Sequence, residues 1–133
     1  MVRTPPFNKI ANGMPGLEVR LPLLFNAMVS DQRFDICKFV EVTSTNPARI
    51  FGLKNKGYIS LGKDADLVIW DAAKKVTYGK NDLHDNVGYN SYEGMNIVGW
   101  PEMVISRGDV IFENETISND FGRGKRMHIH PVI

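Results

Sequence analysis

The sequence contains one cysteine and no long hydrophobic run. Cys37 stands alone among 133 residues, so no disulfide can form within the chain, and its apolar neighbours favour a packed rather than a reactive thiol. The longest apolar stretch, Leu21 to Val29, is broken by Pro22 and Asn26, and no apolar leader pattern is visible. We therefore expect no signal peptide, no membrane span and a cytoplasmic location. There the sequon at Asn114 would stay unmodified.

Net charge is also nearly absent. Sixteen Lys and Arg oppose fifteen Asp and Glu, which leaves a formal charge of +1. The only local excess is the basic tail at Arg123, Lys125 and Arg126, so a nucleic-acid partner is not expected. The hydrophobic share of 43% and the charged share of 23% are those of an ordinary globular protein. No internal repeat is visible, and the length suits one modest domain.

Three helices are predicted in the first half of the chain. Apolar residues recur at three and four between residues 17 and 28, which predicts a helix of about three turns despite Pro22. Asp35 can cap a second helix. The inward face of this second helix would consist of Ile36, Phe39, Val40 and Thr43. A short third helix is expected to start afresh at Thr45-Asn46-Pro47 and to stop at Gly52.

After Gly52 the hydrophobic pattern changes from helical to strand-like. Residues 58–61 predict a strand, and the continuous apolar run 67–70 predicts a second strand that is covered on both faces. Residues 76–78 are a candidate third strand. Residues 79–100 are rich in glycine and asparagine without a sustained period, which predicts a long ordered loop.

A hairpin is predicted near the end of the chain. Residues 103–107 and 110–113 flank Gly108-Asp109, which has the length and chemistry of a tight turn. A meander would continue through Thr116-Ile117. Arg107-Gly108-Asp109 also spells an adhesion tripeptide, but the turn accounts for these residues without a secreted partner.

Five segments together resemble one protein family. They are residues 7–18 with the pattern Asn-Gly-x-Pro-Gly-x-Glu, residues 39–53 with Asn-Pro-Ala, residues 62–71 with Ala-Asp-Leu-Val, residues 92–95 with Tyr-Glu-Gly-Met, and residues 99–101 with Gly-Trp-Pro. The second and third segments are typical of amidohydrolases in general. The first and fourth resemble dihydropyrimidinases and D-hydantoinases in particular, and the series covers nearly the whole chain.

The resemblance implies an α+β fold that is part of a larger architecture. In this family a metal-dependent (β/α)₈ barrel carries a small β-sandwich built from both ends of the chain. Residues 1–52 would be the loop and helices at the end of the barrel, and residues 53–118 the C-terminal part of the sandwich. Residues 119–133 would be a tail, and the barrel itself would be missing from this sequence.

The resemblance also implies zinc chemistry for the full-length family and none for this chain. Family members hold two zinc ions with an HxH pair, a carboxylated lysine, two further histidines and an aspartate, all ahead of the Asn-Gly-x-Pro-Gly loop. No cofactor, metal ligand or catalytic residue is therefore expected here. His128-Ile129-His130 imitates the HxH pair, but it lies in the tail without a nearby Cys, Asp or Glu, which favours surface histidines. His84 is expected to form hydrogen bonds rather than to bind metal.

Asn12 is the one functional position that the resemblance carries over. The family uses the main chain at this asparagine to bind the cyclic amide, and backbone groups offer such a ring a fixed donor and acceptor. Asn12-Gly13 is equally a turn dipeptide. The lone carboxylates of Glu18, Glu41 and Asp66 are expected to cap helices or face solvent, without a catalytic role.

Two functions are compatible with this resemblance. The chain is expected to be part of a hydrolase that opens dihydropyrimidine or hydantoin rings, inactive by itself and with a cyclic amide partner only in a full-length context. The alternative is a non-catalytic, oligomerising scaffold like the dihydropyrimidinase-related proteins. In either case the apolar helix faces would lack barrel partners, so we expect a homo-oligomer.

Overall fold

A computed structural model describes residues 13–14, 16–79, 83–84, 87–118 and 122–129. The architecture is α+β, with helices followed by one antiparallel sheet. The α-helices are α1 (Leu17–Phe25), α2 (Ile36–Val40) and α3 (Asn46–Ile50), with π-helical segments at Asn26–Ser30 and Glu41–Thr45. The strands are β1 (Leu67–Thr77), β2 (Asn96–Ser106), β3 (Asp109–Glu113) and β4 (Thr116–Ile117), and their order in the sheet is β1-β2-β3-β4. None of the helices described is long and apolar enough to cross a membrane.

The first helix forms where the apolar spacing predicts it. α1 begins after Gly16 and passes directly into the π-helical segment, where the Asp31 amide donates to the Asn26 carbonyl at 2.9 Å. Pro22 lies inside α1 and its side chain is among the most deeply buried in the protein. Burial of the ring offsets the backbone hydrogen bond that a proline cannot donate.

The second helix is capped as predicted, but its expected inward face is mostly exposed. The Asp35 carboxylate accepts a 2.7 Å hydrogen bond from the Lys38 amide. Phe39 is 8% exposed, whereas Ile36 and Val40 are 48% and 44% exposed. Cys37 is exposed too, so the expectation of a packed thiol is wrong. Phe39 packs against Phe25 and Trp70, so in this helix burial follows from a partner side chain and not from apolar character alone.

The predicted fresh start at Thr45 is wrong, because the chain stays helical from α2 to α3. Thr45 has helical backbone angles, and its hydroxyl donates to the Gly57 carbonyl at 2.8 Å instead of capping α3. The π-type turns ahead of Pro47 widen the helix where a proline ring would otherwise meet the carbonyl four residues earlier. The predicted stop is confirmed: Gly52 has φ +61°. The Leu53 amide donates to Ala48 at 2.8 Å and the Gly52 amide to Arg49 at 3.1 Å, which is a Schellman ending.

The predicted strand at residues 58–61 does not form. Tyr58, Ile59 and Leu61 are 57%, 86% and 101% exposed, and no strand of the described sheet pairs with them. Gly57 and Gly62 have φ of +97° and +80°, so the chain bends on both sides of this segment. β-Branched and aromatic residues alone therefore do not make a strand when turns flank so short a run.

β1 is longer and less covered than the sequence predicts. It runs to Thr77, so residues 76–77 extend β1 and do not begin a separate strand. Val68 and Ile69 are 45% and 47% exposed, so the expectation of burial on both faces is wrong. Because neighbouring side chains of a strand point to opposite faces, neither face of the sheet is fully covered at this point of β1 by the described residues. The loop predicted over residues 79–100 ends sooner, since β2 starts at Asn96.

An interruption divides β1 into two parts. Asp71 pairs with Trp100 and Lys75 pairs with Val98, so three residues of β1 lie opposite the single residue Gly99. The Asp71 carboxylate accepts hydrogen bonds from the Ala73 and Lys74 amides at 2.9 and 3.1 Å. A side chain thus satisfies two backbone donors that the ladder leaves unpaired.

The predicted hairpin is present, with its turn one residue earlier than expected. Ser106 pairs with Asp109, so Arg107 and Gly108 are the central residues, and both have positive φ, +50° and +88°. Such angles define the primed turns that suit a twisted hairpin. The Arg107 guanidinium donates to the Arg123 carbonyl at 2.6 Å, and Asp109 pairs with Arg123. The tripeptide therefore belongs to a turn that is bound to Arg123 in the tail. β4 continues the meander as predicted.

Aromatic rings close the contact between the helices and the sheet. We call Val19, Phe25, Phe39, Trp70, Tyr78, Ile97 and Gly99 the helix–sheet seam. Phe25 is 2% exposed, stacks on Trp70 with ring centroids 4.7 Å apart, and meets Phe39 edge-on at 5.3 Å. A second cluster joins Val19, Tyr78 and Ile97, each exposed by no more than 2%. These two clusters hold α1 against β1 and β2.

Polar bonds fix the same contact in register. The Val98 amide donates to the Asn26 side chain and the Ser30 hydroxyl donates to the Val98 carbonyl, both at 2.7 Å. The backbone N–H and C=O of Val98 in β2 thus both hydrogen-bond to side chains of the π-helical segment after α1.

Candidate functional site

Asn12, the predicted substrate contact, lies outside the described residues. The structure does describe the next residues of its loop, Gly13, Met14 and Gly16. Gly13 and Met14 are exposed, and the Gly16 carbonyl accepts the Arg20 amide at 3.1 Å as α1 begins. The described part of the site therefore consists of these loop residues and the side chains that hydrogen-bond to them.

One contact holds the loop at Gly13. The Tyr89 hydroxyl donates a hydrogen bond to the Gly13 carbonyl, although the two residues are 76 positions apart in the sequence. Tyr89 is partly buried and precedes Asn90, which is 7% exposed. The contact therefore joins an exposed loop to a residue whose neighbour is anchored in the protein.

A second contact holds the start of α1. The Glu18 carboxylate accepts the His84 amide at 2.8 Å, and its other oxygen lies 2.7 Å from His84 Nδ1. A carboxylate in the first helical turn also interacts favourably with the helix dipole. The His84 ring meets Phe112 edge-on at 6.3 Å. The prediction that His84 forms hydrogen bonds is confirmed, while the partnership of Glu18 was missed because nothing in the sequence links two residues 66 positions apart.

Tyr78 lies in the core beside this contact. Its side chain is 1% exposed, and its hydroxyl has no hydrogen-bond partner among the described residues. Burial raises the pKa of the Tyr78 phenol far above its ordinary value, and the neighbouring Glu18 and Tyr92 side chains add to the shift. The phenol therefore stays protonated at pH values where an exposed tyrosine ionises.

The described residues do not fit the zinc ions of the larger family. No group of three or more His, Cys, Asp or Glu side chains in the described ranges could hold a metal ion, whereas zinc sites use three or four protein ligands. The His84 ring is engaged by Glu18. His128 is exposed, and His130 lies beyond the ranges that the structure describes.

Two surface depressions lie away from the loop. One, of about 300 Å³, is lined by apolar atoms of α3 and the segment after it, including Ala48, Leu53 and Tyr58. The other, of about 290 Å³, lies beside the Lys74–Glu115 ion pair at the β3–β4 turn. Neither includes a residue from the loop before α1.

Comparison with known proteins gives a consistent result. The sequence pattern of the Amidohydrolase family matches residues 9–111. A D-phenylhydantoinase of Escherichia coli O1:K1 / APEC is 38% identical over 128 residues, which is 96% of this chain and 28% of that protein. The chain thus spans little more than a quarter of the length of such relatives.

Solved structures agree with the sequence match. The D-hydantoinase (dihydropyrimidinase) of Thermus sp. superposes with a TM-score of 0.85 at 40% identity, over 94% of this chain and 28% of that one. The dihydropyrimidinase of Brevibacillus agri NCHU1002 gives a TM-score of 0.77 at 38% identity, over 84% and 24%. By sequence and by fold, this chain belongs to the amidohydrolase family.

Proposed function

We propose that this chain forms the substrate-loop and small-domain part of a hydrolase that opens cyclic amides such as dihydropyrimidines or hydantoins. The sequence identity of 38% to a D-phenylhydantoinase and the TM-score of 0.85 against a D-hydantoinase support this substrate class. In the finer arrangement, residues 1–52 complete a barrel and residues 53–118 contribute to a β-sandwich. The helices of the first part and the antiparallel sheet of the second are compatible with that division.

The observation that carries the proposal is the double anchoring of the loop before α1. Tyr89 holds the loop at Gly13, and His84 holds Glu18 at the start of α1. A loop fixed at two points can present main-chain groups to a planar ring with little loss of conformational entropy on binding. In this role the main chain at Asn12 binds the cyclic amide.

The chain alone is proposed to be catalytically inactive. Opening a cyclic amide at neutral pH requires a water molecule activated by a bound metal. The resemblance implies that every metal ligand precedes the sequence segment that matches residues 7–18 here. The residues of this chain would then orient the substrate and leave the chemistry to another part of the enzyme.

The test is an assay of ring opening by the purified 133-residue chain. Dihydrouracil and hydantoin are supplied with and without added Zn²⁺, and the loss of ring absorbance is followed. No turnover above buffer is expected. Metal-dependent turnover, with host enzyme removed, would contradict the proposed inactivity.

A hybrid enzyme tests the substrate class. Residues 1–133 replace the matching portion of a D-hydantoinase that supplies its own metal ligands. Hydrolysis of hydantoins by the hybrid supports the proposal, whereas a folded, metal-loaded hybrid without activity contradicts it. The unmodified hydantoinase is the positive control.

We further propose that the free chain forms a homo-oligomer through exposed apolar side chains between residues 50 and 69, which we call the outer apolar segment. Its members include Ile50 (66% exposed), Phe51 (54%), Ile59 (86%), Leu61 (101%), Val68 (45%) and Ile69 (47%). Apolar surface on this scale favours association with another copy. Light scattering at micromolar concentration is expected to give a mass above that of one chain, and a clean monomer would contradict the proposal.

A further inference from the structure

The loop that contains Tyr89 reaches both ends of the segment from Gly13 to Glu18. Tyr89 hydrogen-bonds to Gly13, and His84 hydrogen-bonds to Glu18. Among the described residues, these are the long-range hydrogen bonds to this segment. The two contacts therefore restrain this segment at Gly13 and at the Glu18 side chain.

Gly13 needs such a restraint. A Cβ added at Gly13 would meet nothing within 4 Å, so packing does not limit this residue. Glycine also loses more backbone entropy on ordering than any other residue. The hydrogen bond from Tyr89 therefore restrains the peptide plane between Gly13 and Met14.

Tyr89 is itself well supported. The Asn90 side chain donates to the Gly79 carbonyl at 3.2 Å and accepts the Tyr92 amide at 2.9 Å. The Gly94 amide donates to the Tyr78 carbonyl at 2.7 Å, which ties the same loop to the end of β1. The hydroxyl that bonds to Gly13 thus belongs to a turn that is fastened to the core.

We propose that Tyr89 is a positioning residue: by holding the Gly13 carbonyl, it restrains the loop to which the proposed function assigns the cyclic amide. The substrate in this inference rests on the proposed function. The restraint of Gly13 by Tyr89 does not depend on it. Tyr89 acts through Gly13 and takes no part in bond breaking.

The restraint is tested on the full chain with Tyr89→Phe, which removes only the hydroxyl. Tyr58→Phe is the matched control, because Tyr58 is 57% exposed and its ring contacts Lys63 while its hydroxyl is not needed for that contact. The Met14 amide belongs to the same peptide plane as the Gly13 carbonyl, so its ¹⁵N order parameter reports on the bond. It is expected to fall from about 0.85 toward 0.6 or below in Tyr89→Phe and to stay unchanged in Tyr58→Phe. An unchanged value in both variants overturns the proposal.

The positioning role is tested in the hybrid hydantoinase. Loss of one neutral hydrogen bond is expected to raise KM for hydantoin roughly threefold to tenfold in Tyr89→Phe. We expect kcat to stay within about twofold, because the main-chain contact is made in both ground and transition states. Equal KM in Tyr89→Phe and Tyr58→Phe overturns the positioning role.

The order-parameter measurement tests the restraint, and the hybrid assay tests the proposed function. If the hybrid with wild-type residues is inactive while the Met14 order parameter falls, the proposed function fails and the restraint stands. If the hybrid is active and the order parameter does not change, the restraint fails and the proposed function stands.

Discussion

The helix–sheet seam and the outer apolar segment are built from similar residue types but differ in burial. In the seam, Phe25 is 2% exposed and Ile97 1%, whereas in the outer apolar segment Ile59 is 86% exposed and Leu61 101%. The seam has a helix on one side and a strand on the other. In the outer apolar segment, Ile59 and Leu61 lie between the bends at Gly57 and Gly62, and no described helix or strand covers them.

This difference teaches that apolar content predicts burial only where a partner surface exists. An apolar side chain stabilises the fold in proportion to the area removed from water, about 25 cal/mol per Å². Residues of the outer apolar segment remove little area in the free chain. Substitutions in the two regions should therefore differ strongly in their effect on the free energy of unfolding.

The largest effect is expected for Phe25→Ala. The substitution removes a ring that stacks on Trp70 and meets Phe39, and large-to-small changes of buried aromatics cost about 3–5 kcal/mol. Urea denaturation measures the loss. A change below about 1 kcal/mol would mean that the seam is not the core of the fold.

A somewhat smaller effect is expected for Gly99→Ala. A Cβ at Gly99 would lie 2.3 Å from Phe25 Cδ1 and 2.9 Å from Trp70 Nε1, and the residue has φ +97°. Overpacking together with the unfavourable φ is expected to cost about 2–4 kcal/mol.

Gly94→Ala is the matched control for that clash. Gly94 has φ +80°, but an added Cβ would meet nothing within 4 Å. Only the backbone penalty of about 1 kcal/mol is expected. Equal losses in the two variants would show that contact with Phe25 is not what requires glycine at position 99.

Tyr78→Phe is expected to stabilise the seam by about 1 kcal/mol, because none of the residues that the structure describes hydrogen-bonds to the buried hydroxyl. The benefit should grow above pH 10. Burial raises the folded-state pKa of Tyr78, so the unfolded chain loses its proton first, and the wild type loses stability as pH rises above the ordinary tyrosine pKa of about 10. Denaturation at pH 7 and pH 11 tests this, with Tyr58→Phe as control. An identical pH response in Tyr78→Phe and the wild type would contradict it.

The smallest effect is expected in the outer apolar segment. Leu61→Ser exchanges a fully exposed side chain, and such changes stay within about 0.5 kcal/mol. A loss comparable to that of Phe25→Ala at low protein concentration would erase the distinction between the two regions.

Features set by neighbouring residues were predictable from the sequence. The cap at Asp35, the glycine stop at Gly52 and the hairpin near Gly108 each depend on a few adjacent side chains and backbone angles. The hairpin turn was misplaced by one residue, because the pairing of Ser106 with Asp109 is decided by cross-strand register.

Features set by distant residues were not predictable in the same way. The Glu18–His84 contact spans 66 positions, and only the folded chain brings these residues together. The length of β1 depends on its pairing with β2. Three residues between Asp71 and Lys75 interrupt this pairing, and from the sequence alone they would indicate the end of a strand. Asn12 stays a prediction, because it lies outside the described residues.

The interruption in β1 also limits fibril-like stacking of strands. β1 is an edge of the sheet described, and an unbroken edge of 11 residues would be a long template for another chain. The Asp71 carboxylate already occupies the Ala73 and Lys74 amides, so an incoming strand finds usable donors only before and after that point. The aspartate thus leaves two paired stretches, 67–71 and 75–77, both shorter than the segments typical of cross-β ladders.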